Sequence, residues 1–493
     1  MKKLNRKVAY MLVMILLAVN CTVLGSAGAA EAANGDSRPI PVSVAGGSGH
    51  GVAAWNDGSV TAWGYNKSGQ VGDGTSVHQL VPKQVAGLTD IVQVAAGDHS
   101  SFALDKNGDV WAWGDYYSPY INGDPLLPYQ KRGGLIQLEG LKDVASLAFT
   151  RYSGVALHKN GTATIWHPAS NPDDPLKMFV KYFPVKGVKN AKSMVIAGHE
   201  ALILGDDGSV GMLTVYNSFY DRYRLEREFR EVKPLVTSSI AGIAANWSEV
   251  FLLHENGTVL RWNGNTKQQA PVAVKGLKDI QEIRTGFNRL FMLKNDGTVW
   301  QWNYYNPTAK PFQVKGLTGI TALWGSNGYT GYATNKDGKL LAWGEGKYQG
   351  SGSPNENDGN PVFVQSPLSW TVNGQKVTFY GSSAIVKGKL YVPYSSVFEA
   401  LGIKVKRGQS NSDPKHGNHR FPVWSFSYGG NTVSIKSSDP AVVLVNGKAT
   451  REDASIPFLA DSSMFPLELI TSKLGIPMSW NKTTGEVILG KTP

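Results

Sequence analysis

Cysteine is almost absent from this chain: Cys21 is the only one among 493 residues. Disulfide staples and catalytic thiols are therefore excluded if the first 30 or so residues are removed. Lipid attachment at Cys21 would require a small residue before it, and Asn20 stands there. A hydrophobic run long enough to span a bilayer, about 20 residues, is also lacking. The longest apolar stretch, residues 8–19, follows Lys2, Lys3, Arg6 and Lys7 and is trailed by small residues at 26–30. That layout predicts a secretory signal peptide over residues 1–33 and an exported mature chain without a transmembrane segment. Charge is sparse as well, at 18% of residues. The formal net charge of +11 falls to about +7 once the four signal cations are removed, a moderate excess that suits scattered surface lysines and also anionic polymers. No nucleophile elbow, phosphate loop, zinc signature or paired-carboxylate motif occurs, so no catalytic residue, cofactor site or metal site is expected.

What the chain has instead is repetition. Asn-Gly or Asp-Gly recurs with its glycine at Gly58, Gly108, Gly161, Gly208, Gly257, Gly297 and Gly338, at intervals of 40 to 53 residues. These dipeptides tolerate positive φ and predict type I′ hairpin tips flanked by alternating strands. Five residues past each glycine stand Trp63, Trp113, Trp166, Leu213, Trp262, Trp302 and Trp343. A large apolar group at a fixed hairpin position predicts packing between neighbouring sheets. Connectors repeat too, as GLTDI at 87, GLKDV at 140, GVKNA at 187, GLKDI at 276 and GLTGI at 316, with VTSSI as the departure. Units of this length with turns, short strands and no helical period fit four-stranded propeller blades. The expectation is an all-β seven-bladed β-propeller over residues 39–365.

The phrase VQVAAGDHSSFALDKNGDVWAWG resembles the repeat of the regulator of chromosome condensation family. Repeats 1, 2, 5, 6 and 7 carry the pattern strongly, while repeats 3 and 4 put His167 and Thr214 where the family usually has glycine. The resemblance implies a seven-bladed propeller that binds proteins. The family's eukaryotic roles in nucleotide exchange and chromatin binding transfer poorly to an exported chain, so no nucleic-acid partner is expected.

Beyond Pro367 a second period begins. Asn373-Gly374 is matched by Asn446-Gly447, Pro393 by Pro466 and Leu401-Gly402 by Leu474-Gly475, each 73 residues apart. Two homologous halves follow, each with a proline before a short helix and a glycine to cap its end. Val397 with Leu401, and Ile470 with Leu474, give each helix an apolar face. This small duplicated α+β domain, residues 368–493, resembles the N-terminal-like or stalk domain of copper amine oxidases, which recurs in secreted Gram-positive proteins without the oxidase. The name invites a copper reading, but WQWNYY at 300–305 lacks the threonine and the acid of the oxidase's cofactor-forming motif. Asp413, His416 and His419 could hold a metal; a polar insertion between strands is the favoured reading.

Five histidines occupy repeat positions, His50, His99 and His199 before the tip glycines by eight or nine residues and His158 and His254 by three. Such placement predicts structural hydrogen bonding. The candidate binding rim is aromatic: Tyr65, Tyr116, Tyr117, Tyr120, Tyr216, Tyr220, Tyr304, Tyr305 and Tyr348 all lie in loops leaving the tryptophan strand. They suit ligand contact and equally suit cover for blade edges. Together these readings predict a secreted, non-enzymatic binding or scaffold protein of the bacterial cell envelope or extracellular space, with an extracellular protein or cell-wall glycan as partner. Inhibition of a secreted hydrolase, as by β-lactamase inhibitory proteins of similar repeats, is an alternative. A propeller enzyme acting on polysaccharide is another.

Overall fold

The computed structural model describes residues 39–115, 120–121, 124–125, 134–149, 154–170, 178–185, 188, 190–197, 200–214, 233–236, 239–246, 249–263, 270–306, 308–345, 348–353, 359–394, 396–410, 420–437, 441–452, 458–459 and 462–491. The signal segment, Tyr116, Tyr117, Tyr216, Tyr220, His199, Asp413, His416 and His419 lie outside these residues. By compactness the chain divides into two units. The first comprises Met1–Ser48, Val52–Val60 and Gly87–Leu340, the second Gly49–Gly51, Thr61–Ala86 and Leu341–Pro493.

Among the described residues the repeat region is all β, with seven sheets of four strands in succession. The sixth is typical: Ile280–Thr285, Arg289–Lys294, Val299–Asn303 and Phe312–Gln313, neighbours in chain order. The outermost strand here and in the fifth sheet, Val272–Ala273, is only two residues long, which limits the unpaired edge it presents.

The tips are not type I′ turns. All seven glycines do have positive φ, from 72° to 95°, but the Asn or Asp before each does not. Gly58 N–H donates to the Trp55 carbonyl and Trp55 N–H to the Ser59 carbonyl, and the same pair of bonds recurs at every tip. That is a type I turn followed by a left-handed glycine, a three-residue loop with a bulge. The dipeptide is compatible with both loops, and side-chain hydrogen bonds within the tip select this one. At five tips the Asn or Asp before the glycine accepts from the N–H two residues on, as Asp57 does from Ser59 at 3.0 Å, which holds it in the right-handed region; at the second and seventh tips Asp105 and Asn335 gather the turn N–H groups instead. True type I′ turns occur in the second unit, where Asn373-Gly374, Lys387-Gly388 and Asn446-Gly447 are all left-handed pairs.

Five of the tips also lock onto the next sheet. The Gly58 carbonyl accepts from Ile91 N–H at 3.1 Å and the Gly108 carbonyl from Val144 N–H at 3.2 Å; Gly208, Gly257 and Gly297 serve Ile240, Ile280 and Ile320 alike. The connector repeats have their reason here. Asp90, Asp143, Asn190, Ser239 and Asp279, and Gly319 in the sixth, occupy one left-handed position just before each of these strands.

The first strand of a sheet skips a residue in its pairing after its first position, as between Ile91 and Gln93 and between Ile280 and Glu282. The residue after this bulge reaches the neighbouring sheet. Ser43 Oγ accepts from Val94 N–H at 3.1 Å. The Gln93 amide both accepts from Leu147 N–H (2.8 Å) and donates to its carbonyl (3.0 Å). Glu282 accepts from Leu323 N–H at 2.9 Å. The succession of first strands returns to its start: Gly46 pairs in parallel with Ser326, its N–H donating to Gly325 and its carbonyl accepting from Asn327 at 2.8 Å.

Burial pushes the Glu282 carboxyl above the usual glutamate range, against the lowering influence of Arg284 and the Leu323 N–H. A raised folded value means that the folded chain holds this proton to higher pH than the unfolded chain. The stability it contributes is thus present at low pH and lost as pH rises through the folded value. Denaturant titrations from about pH 4 to about pH 8 should show the wild-type advantage over E282Q shrinking with rising pH. A difference independent of pH would mean that Glu282 does not titrate in this way.

The tryptophan slot does what its spacing implies. Trp63, Trp113 and Trp343 are fully buried, and Trp166 and Trp262 nearly so. Trp166 packs with Phe149 of its own sheet and with Phe102 of the preceding one, ring centroids 6.0 and 6.1 Å away. Opposite it in register stands Gly154, where any side chain would overlap the indole.

In the second unit the helices α1 (Ser396–Ala400) and α2 (Leu467–Lys473) end alike. Gly402 and Gly475 are left-handed; Gly402 N–H donates to Glu399 and Ile403 N–H to Phe398, and Gly475 and Ile476 repeat this onto Ser472 and Thr471. These are Schellman caps with a buried isoleucine after the glycine. Val397, Leu401, Ile470 and Leu474 enter one core with Trp424, Phe426 and Phe465. Strands Ser369–Val372 and Glu486–Leu489 pair in parallel at the heart of one sheet.

Candidate functional site

Loops from the first to the second strand of each sheet, and from the third to the fourth, leave by the same ends of antiparallel strands and so share a side. In the first unit these loops are tied together. Asn246 donates to the Phe287 carbonyl at 2.7 Å, Phe287 N–H to Gly328 at 2.8 Å and Thr285 Oγ1 to Ala245 at 2.6 Å. Asn327 donates to Ala96 at 2.7 Å. Close approach is possible because the loops carry glycine: a side chain at Gly286 or Gly328 would meet the carbonyl of the facing loop. The result is a braced surface on which Phe287 (52% exposed) and Tyr329 (40% exposed) pack against each other at 5.2 Å. Neither belongs to the tyrosine series read from the sequence. The signal was present in TGFN and SNGY, short loops with one aromatic each.

The tyrosine series divides. Tyr304 is buried, 3% exposed, between Phe251 and Trp302, and accepts a hydrogen bond from Asn246. Burial pushes its phenol far above the ordinary range, so it is a neutral part of the core that no ligand can reach. Its neighbour Tyr305 is 56% exposed, with the two rings 5.3 Å apart. In the second unit Tyr65 and Tyr348 come together at 6.5 Å, with His78 stacked on Tyr65 at 4.6 Å. Both tyrosines are half-buried, and burial raises the Tyr348 phenol. Tyr120 lies in the two-residue strand Tyr120–Ile121.

A cleft of about 880 Å³ opens between the fifth and sixth sheets, lined by Arg261, Val272, Lys275, Trp300, Trp302 and Lys310 among others. Arg261 makes a two-pronged ion pair with Glu249 (2.8 and 2.6 Å) while its guanidinium lies 5.6 Å from the Trp302 ring centre. Lys294 Nζ sits 4.3 Å from the Trp300 ring. Trp302 Nε1 donates to the Ala309 carbonyl at 3.0 Å and so fixes the segment that carries Lys310. Strand alternation puts Trp300 and Trp302 on one face, the face toward the fifth sheet, which is why both can line the cleft.

Two of the repeat histidines, His158 and His254, serve the framework. His158 Nδ1 donates to the Lys142 carbonyl at 2.7 Å, leaving Nε2 to accept from Thr164 at 2.8 Å, and His254 Nδ1 accepts from Asn256 N–H. Among the described residues there is no cluster of three or more metal-ligating side chains and no helix long and apolar enough to cross a membrane.

Comparison with known proteins agrees with the repeats and the C-terminal module. The RCC1 domain-containing protein RUG3, mitochondrial, of Arabidopsis thaliana is 33% identical over 105 residues, 19% of this chain and 23% of the relative. The ultraviolet-B receptor UVR8 of the same plant is 40% identical over 73 residues, 14% and 17% of the two chains. The chain thus spans under a quarter of the length of either relative. Among solved structures, Prp20p from Saccharomyces cerevisiae aligns with a TM-score of 0.45 at 18% identity, over 58% of this chain and 80% of that one. Family models match at residues 57–104 and 371–489: the chain carries a regulator of chromosome condensation repeat and a copper amine oxidase N-terminal domain.

Proposed function

We propose that this chain is an exported, non-enzymatic binding or scaffold protein of the cell envelope or extracellular space. In this reading its repeats form a seven-bladed propeller, one face of which recognises a protein or a glycan, and its C-terminal module aids attachment. The seven sheets and the pairing of Gly46 with Ser326 support the blade count. The observation that carries the binding role is the Phe287–Tyr329 pair, two large rings left in solvent on loops that hydrogen bonds and close glycine contacts hold still. Rigid aromatic groups give contact area at little entropic cost, which is what recognition surfaces use. The basic n-region and apolar run of residues 2–19 support export.

Capture of full-length chain on isolated cell envelopes tests this. The double variant F287A/Y329A is expected to lose roughly tenfold or more in retention, with its thermal unfolding unchanged because both rings are exposed. Retention equal to wild type would remove this face from the binding role.

A further inference from the structure

We propose that the cleft between the fifth and sixth sheets is a second binding site, separate from the loop surface, and that it takes an acidic glycan, a carboxylate-bearing sugar chain. The inference rests on the reading of the chain as a binder and assigns a ligand class to a place that reading does not use. Three features of the cleft point the same way.

The first is charge. Arg261, Lys275 and Lys310 line the cleft, and Glu249 neutralises only Arg261. Lys275 and Lys310 are exposed and make no ion pair among the described residues. The wall segments 272–276 and 309–311 carry these two lysines and no acid. Two cations thus face solvent across an apolar floor, an arrangement that favours carboxylates over neutral ligands.

The second feature is that floor. Trp300 and Trp302 line it half-buried, each with a cation on its ring, Lys294 and Arg261 respectively. Indoles fixed by such contacts and by the Trp302 hydrogen bond to Ala309 offer flat apolar surface for the faces of sugar rings. Core packing alone would require Trp302, which fills the repeated slot; Trp300, three past its tip glycine, stands where the other repeats carry Thr61, Trp111, Thr164, Gly211, Leu260 and Leu341, so only the second and sixth repeats add a second indole on this strand.

The third feature separates a glycan from an acidic peptide. A peptide bound beside a sheet gains most from adding a strand to its edge. The edge strands here, Val272–Ala273 and Phe312–Gln313, are two residues long and cannot template one. A polymer that alternates ring faces with carboxylates needs no such edge.

Titration calorimetry of the full chain with oligogalacturonate, a neutral glucan of equal length and oligoglutamate tests the assignment. Oligogalacturonate is expected to bind, more weakly at higher salt, and the other two not. K275Q/K310Q, both on the surface, and W300F, which keeps an aromatic ring, should each bind less well, the lysine pair by roughly tenfold. F287A/Y329A should bind oligogalacturonate as wild type does. Loss of envelope capture by F287A/Y329A alone would leave the loop surface standing whatever the cleft does. No oligogalacturonate binding, equal binding of the neutral glucan, equal binding of oligoglutamate, or oligogalacturonate binding untouched by K275Q/K310Q would each overturn the site.

Discussion

Trp166→Ala is expected to destabilise the chain by about 3–5 kcal/mol, the usual cost of emptying a buried aromatic site. The indole is almost wholly buried, and it belongs to a cluster drawn from two sheets: Phe102, Leu104 and Val110 on one side, Leu147 and Ala156 on the other. Gly154 beneath it has no side chain to swing into the void, and backbone on a strand cannot collapse without breaking its pairing. The cavity therefore stays open and the loss is near the upper part of the range. Trp300→Ala is the internal control, since that indole is half-buried and should cost clearly less. Denaturant unfolding followed by far-ultraviolet circular dichroism would measure both. A loss at Trp166 below about 1 kcal/mol, the size of an average substitution, would mean that the indole is not a wedge between sheets.

Gly108→Ala is expected to strain its own tip and press on the next sheet at once. Gly108 has φ of 95°, where an L side chain is strained by about 1–3 kcal/mol. Its added Cβ would also lie 2.8 Å from the Val144 nitrogen, in the next sheet. Two sheets would have to part, or the bond from Val144 N–H to the Gly108 carbonyl would stretch. The tip itself cannot yield easily, because Asp105 Oδ1 gathers the N–H groups of Asn107, Gly108 and Asp109 at 2.9 to 3.1 Å. Gly276→Ala isolates the two effects: its φ is 81°, and a Cβ there meets nothing within 4 Å. The excess loss at Gly108 over Gly276, read from the same unfolding curves, measures the contact between sheets. Equal losses would show that strain alone matters at the tips.

These two positions show what a repeat makes legible. Tip glycines and the tryptophan slot recur because each sheet solves the same packing problem, so counting them in the sequence was enough to locate sheets and their interfaces. The turn type was not legible, since Asn-Gly serves two loops and the choice lies in side-chain hydrogen bonds within the tip. The bulge that sends Gln93 and Glu282 toward the next sheet left no periodic mark, because Ser, Gln and Glu share only the ability to accept a hydrogen bond. Tyr304 and Tyr305 are adjacent and alike in sequence, yet alternation carried past the strand end puts one in the core and one in water. The cleft was invisible for a different reason. Arg261 and Trp300 come from separate repeats, and only the pairing of sheets brings them to one wall.

The bond between Gly46 and Asn327 joins the start of the repeats to their end. A nascent chain makes its N-terminal strand first, yet that strand finds its last partner only after residues 320–335 have been made. Until then two raw edges exist at once, and a polypeptide truncated short of the last repeat would keep both for its lifetime. Such fragments should self-associate through those edges while the finished chain does not, so the completeness of translation is built into the solubility of the product.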